Sequence, residues 1–121
     1  MIDIHDAMAQ RADMVSSRNP DLIVRYSAYT DDRREWGILH ILSEDQKVVG
    51  LEFFENEESW RRSNAVNDYD MAAHEGYPVA VLVPEGAFRE FVDQAKRSAR
   101  ENFTVYSYSD FNIQPRMRTR T

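Results

Sequence analysis

Cysteine is missing from all 121 residues. That excludes disulfides, thiolate zinc sites and a thiol nucleophile, and it is compatible with a reducing compartment. Long apolar runs are missing too. The longest, Val79 to Val83, is far too short to span a bilayer. The first residues, Met1-Ile-Asp-Ile-His-Asp6, carry acids where a signal peptide would carry Lys or Arg, and no apolar segment follows them. A cytoplasmic location with no membrane partner is the expectation. There is no internal repeat, and a chain of this length has no room for a second core. Positive charge is in deficit: 15 Lys and Arg against 21 Asp and Glu leave a net charge of −6. That argues against a surface that grips nucleic acid all round.

What is present is pattern. Tyr77-Pro-Val-Ala-Val-Leu-Val-Pro84 reads as a strand covered on both faces, because its apolar residues do not alternate with polar ones. Glu85-Gly86 then opens a helix with Phe88, Phe91, Val92, Ala95 and Ala99 along one stripe. Phe103 to Tyr108 completes a parallel crossover. Upstream, Ile4, Met8, Ala12 and Val15 mark a helix that Asp3 caps and Asn19-Pro20 ends. Leu22–Tyr29, Trp36–Leu42 and Val48–Phe54 read as an antiparallel meander, with turns over Thr30–Glu35 and Ser43–Lys47. Residues 55–63 read as loop. Asn64 to Glu75 is a helix stopped by Gly76 and Pro78. The expected fold is α/β, a single domain in the order α-β-β-β-α-β-α-β. It has a mixed five-stranded sheet and helices on both faces, over residues 1–111. A flexible basic tail follows over 112–121.

This order of elements, from Asp3 to Tyr108, resembles the restriction-endonuclease-like, or PD-(D/E)xK, fold. The resemblance implies an acid near the start of the second strand and a Glu-x-Lys on the third. Together these hold a divalent metal and a water for phosphodiester cleavage. Glu52-Phe53-Phe54 stands at the Glu-x-Lys position, with Glu52 for the acid and Phe54 in place of the lysine. Asp32 or Glu35 stands for the earlier acid. On this reading Glu52 and Asp32 are the catalytic candidates, and Glu52, Asp32 and Glu35 are the ligands of a Mg²⁺ ion. The missing lysine implies a catalytically degenerate nuclease-like domain in nucleic-acid-associated or interaction work. The alternatives are a protein-interaction or dimerisation module and a small-ligand regulatory domain without catalysis.

Each candidate also has a plainer reading. Strand alternation places Val49, Leu51 and Phe53 on one face and Glu52 on the other, so Glu52 reads more simply as solvent-facing. Hairpin register decides whether His40 joins it: a three-residue turn, Glu44–Gln46, puts the two on one face, and a two- or four-residue turn separates them. His5 and His74 have no ligand partner at helical spacing and read as surface residues. Glu55, Glu57 and Glu58 lack the pattern of a calcium loop and read as solvated. Pro84-Glu85-Gly86 lies where open sheets place ligands but has no phosphate-binding fingerprint. Charge is uneven: Glu44 to Glu58 holds six acids against Lys47 alone. Lys96, Arg97, Arg100, Arg116, Arg118 and Arg120 gather towards the end and suggest a phosphate-binding patch, with Tyr106 and Tyr108 as stacking surface. An uncovered edge, Leu22–Tyr29 or Phe103–Tyr108, suggests pairing with another copy, a homodimer.

Overall fold

The computed structural model describes residues 1–118. Helix α1 spans Ile4–Arg18, and the Asp3 carboxylate accepts from the backbone N–H of His5 and Asp6 at its start. Strands β1 (Ile23–Asp31), β2 (Arg34–Leu42) and β3 (Val48–Phe54) form the meander. A short 3₁₀ turn, Ser59–Arg61, leads into α2 (Ala65–His74). Then come β4 (Val79–Val83), α3 (Glu85–Ser98) and β5 (Thr104–Ser107), closed by a 3₁₀ turn at Tyr108–Phe111. The chain is an α/β domain with a mixed five-stranded sheet in the order β1-β2-β3-β4-β5. The first three strands are antiparallel, and β4 and β5 continue parallel to β3.

Two crossovers of one hand stepping along a sheet in one direction place their helices on the same face. Accordingly α2 and α3 pack with Trp60 over Phe53, Val79, Val81 and Val83. Helix α1 covers the other face with Ile4, Ala7 and Met8 over Leu39, Phe54 and Leu82. Strand β4 is thereby sandwiched, which is why its run is apolar without alternation.

Two turns set the register. The first is tighter than expected, because Asp31 pairs with Arg34 and leaves only Asp32 and Arg33 to turn. Their φ values of 52° and 63° are those of a type I′ hairpin. The second does have three residues: Ser43 N–H donates to the Lys47 carbonyl, and Gln46 takes a φ of 64°. Yet Leu42 faces Val48 while Ile41 faces Gly50, so Val49 is a bulge. Beyond it, His40 faces Leu51, and Glu52 faces Leu39 under α1. His40 and Glu52 therefore lie on opposite faces.

Residues 112–118 differ from the free tail expected of them. Ile113 is buried, and Met117 bridges Ile2. Asp3 N–H donates to the Arg116 carbonyl and Arg118 N–H to the Met1 carbonyl, both at 2.7 Å. Asp6 and Gln10 of α1 hold the backbone N–H of Arg116 and Gln114. Among the described residues no helix is long and apolar enough to cross a membrane.

Gly37 of β2 is where α1 comes closest. A Cβ there would stand 2.5 Å from Met8 Sδ and 2.6 Å from its Cε. Met8 is fully buried, so the end of its side chain must shift within the core to make room. Gly37→Ala is expected to cost about 1–3 kcal/mol by overpacking. In urea denaturation, Met8→Ala should cost clearly less in that background than in the natural sequence. Additive losses would show that the two do not compete for space.

Candidate functional site

The three carboxylates of the metal-site expectation do not converge. Glu52 is not solvent-facing: it is 6% exposed and is gripped by Arg11 of α1, Nε to Oε1 and Nη2 to Oε2, each at 2.8 Å. The Arg11 guanidinium also lies 4.2 Å over the Phe111 ring. This bidentate pair accounts for a carboxylate inside an apolar strand. Glu35 lies on the same face but four residues along β2 from Leu39, about 13 Å away. It faces Arg118 at 3.1 Å and His5 at 3.4 Å. Asp32 is exposed at the hairpin tip. Among the described residues no three His, Cys, Asp or Glu are placed to hold a metal ion.

The densest polar chemistry lies on the other face, in the segment that reads as solvated loop. Glu55 is 0% exposed. Its Oε1 accepts from Arg62 Nη1 at 2.5 Å and from the Ser59 hydroxyl at 2.8 Å, and its Oε2 accepts from the Tyr69 hydroxyl at 2.5 Å. Its carbonyl accepts from the Tyr108 hydroxyl at 2.8 Å. Burial pushes the Glu55 carboxyl up from its ordinary value, and Arg62 pulls it back. Burial alone would lower Arg62, but Glu55, through its charge and its hydrogen bond, together with Tyr69 and Asp68 outweighs it, and the guanidinium ends above its usual value. Burial, reinforced by the Glu55 charge, raises the Tyr69 and Tyr108 hydroxyls well above 10. Arg62 stacks 3.9 Å over Trp36, and its Nη2 stands 3.5 Å from Asp68. That contact is an ion pair without hydrogen-bond geometry, so Arg62 Nη2 and Nε, with Trp36 Nε1, are buried donors lacking an acceptor among the described residues. The one sequence signal was parity: alternation carried past Phe53 puts Glu55 under α2. Glu57 is also engaged, accepting from Ile2 N–H.

The basic candidates are split between the faces. Arg97 and Arg100 line an open groove of about 1030 Å³ between α2 and α3, interleaved with Asp70, Glu90 and Glu101. Asp70 accepts from the backbone N–H of Arg100 and Glu101. His74 stands 2.9 Å from Glu101. Arg118 is on the α1 side, facing Glu35 and Asp3. Arg116 is exposed there, and Arg120 lies outside the described residues. Tyr108 is buried and offers no stacking face, and Tyr106 is half-buried and packs at an angle against Phe111 at 4.8 Å. Pro84 caps α3, and the groove is lined only further along, from Glu90.

Strand β1 remains as a surface. It is nine residues long, with β2 as its only strand neighbour among the described residues. It carries no proline, lysine or bulge, the usual blocks to edge pairing. Tyr26 and Tyr29 are 42% and 41% exposed. Tyr29 is held in place by stacking on Trp36 at 4.9 Å, and Trp36 by Phe53 at 6.2 Å. In a two-residue hairpin the flanking pair, Asp31 and Arg34, exchanges hydrogen bonds. Antiparallel alternation then turns the N–H and C=O of Val24, Tyr26, Ala28 and Thr30 outward.

Two outcomes are expected in solution. Glu55→Leu removes the main counter-ion of the buried Arg62, leaving it only the partly exposed Asp68 at 3.5 Å, and should cost roughly 3–5 kcal/mol, while adding Arg62→Met should recover much of that. Equal or greater loss in the double variant would refute the ion-pair account. Burial lowers the His40 pKa from its ordinary 6.5. Its contribution to stability is therefore present above pH about 6.5 and is lost as pH falls through the lowered value. His40→Gln should remove that slope from Tm against pH as pH falls below about 6.5, and an unchanged slope would assign it elsewhere. Compared with protein-family models, curated proteins and solved structures, the chain matches none.

Proposed function

We propose that this domain is a protein-interaction module without catalysis, and that it takes a partner's strand onto the edge of β1. The observation that carries this reading is the uncovered nine-residue edge, with four residues turning their backbone groups outward. Strand addition draws its affinity from main-chain hydrogen bonds and its selectivity from side chains beside them. Tyr26 and Tyr29 supply aromatic contacts on the two faces, and Tyr29 is already fixed by Trp36. The engagement of Glu52 by Arg11, and of Glu35 by Arg118 and His5, also supports a non-catalytic role over metal-dependent cleavage.

The test separates backbone pairing from side-chain contact. A photo-crosslinking phenylalanine placed at Tyr29 is expected to trap a partner in cells. Tyr26→Pro, which deletes one outward N–H and leaves the β1–β2 ladder intact, should abolish the adduct. Tyr26→Phe should retain it. An adduct indifferent to the proline, in a protein with an unchanged melting curve, would overturn strand addition.

A further inference from the structure

We infer that the strand added to β1 is β1 of a second copy, in an antiparallel register centred on Ala28. This deepens the interaction reading and rests on it. The residues that turn backbone groups outward are the even ones, so a two-fold pairing must set even against even. Three centres satisfy this near the middle of the strand. Centring on Tyr26 sets Arg25 against Ser27 and pairs the strand only from Ile23 to Tyr29, which leaves Thr30 and Asp31 beyond the end of the partner's strand. Centring on Ser27 sets Arg25 against Tyr29 and Ile23 against Asp31, which leaves both charges without a counterpart. Centring on Ala28 sets Arg25 against the partner's Asp31 twice, once on each side of the axis. Both residues are exposed, and neither has an ion pair within the chain among the described residues. The same register sets Tyr26 against Thr30 and Tyr29 against Ser27, large beside small, and puts the least bulky residue of the strand on the axis.

The product is a continuous ten-stranded sheet with both α1 helices on one face. Helix α1 packs chiefly over β1 and β2. A strand spacing of about 4.8 Å therefore brings the two copies of α1 to about 10 Å apart, a normal helix-packing distance. The interface is one strand wide and is expected to be weak.

Sedimentation equilibrium of the whole chain, from micromolar towards millimolar concentration, reads the association directly. Arg25→Asp and Asp31→Arg should each weaken dimerisation about tenfold, since each converts two attractions into repulsions. The two together should return it close to the starting value, which loss of folding cannot imitate. Tyr26→Pro should give a monomer. A chain that stays monomeric throughout overturns the second-copy inference. If the cellular adduct at Tyr29 is still proline-sensitive in that case, the interaction reading survives with a different partner; if it is not, both fall. A dimer indifferent to the proline or to the charge swap also overturns the inference.

Discussion

A carboxylate with no exposed surface is the constraint around which this domain is arranged. Glu55 sits just past the end of β3 and must be satisfied from whatever comes near. Ser59 reaches it from the 3₁₀ turn, Arg62 from the entry to α2, Tyr69 from within α2, and Tyr108 holds its carbonyl from beyond β5. Four separate segments are thereby fixed to one point. An isolated ion at this depth would be costly, so any packing that lets one of these donors leave is strongly disfavoured. The apolar core tolerates small repacking, but this node does not. It is the better account of why α2 and the last turn adopt one position each.

The opposite face repeats the device on a smaller scale. Glu52 would be a stranded charge in the middle of the sheet, and Arg11 answers it with two parallel hydrogen bonds while stacking on Phe111. Helix α1 is thus keyed to β3 and to the closing 3₁₀ turn by one side chain, while Met8 sits against bare backbone at Gly37. Both charged pairs use an arginine that also lies over an aromatic ring. The planar guanidinium suits this dual contact and lysine would not.

The fold was legible because its signals are periodic. The uninterrupted Val79–Val83 run marked a strand covered twice, and Asp3 marked a helix start by simple hydrogen-bond chemistry. The site was less legible because it depends on pairings that spacing does not encode. A three-residue turn predicted His40 beside Glu52, but the extra residue at Val49 moved the register by one and reversed the outcome. Glu52 and Arg11 are 41 positions apart, and nothing local distinguishes that arginine from others on the same helix. The run of acids around Glu55 looked like a solvated loop because composition cannot show which member turns inward. The first hairpin turn was placed within Thr30–Glu35, but its two-residue tightness was not legible for a related reason: Arg33 takes a left-handed conformation that glycine or asparagine would normally announce.

The seam between the two ends of the chain has a kinetic side. Gln10 and Asp6 bind backbone groups 104 and 110 residues away, so completing the outer flank of α1 closes a loop nearly as long as the chain. The entropy of such a closure is recovered only when most intervening contacts exist. By this reasoning the outer flank of α1, first in sequence, is expected to be completed last. Until that moment the apolar side of Ile4, Met8 and Leu39 is incompletely sealed, and a newly made chain is most vulnerable to wrong association during that interval.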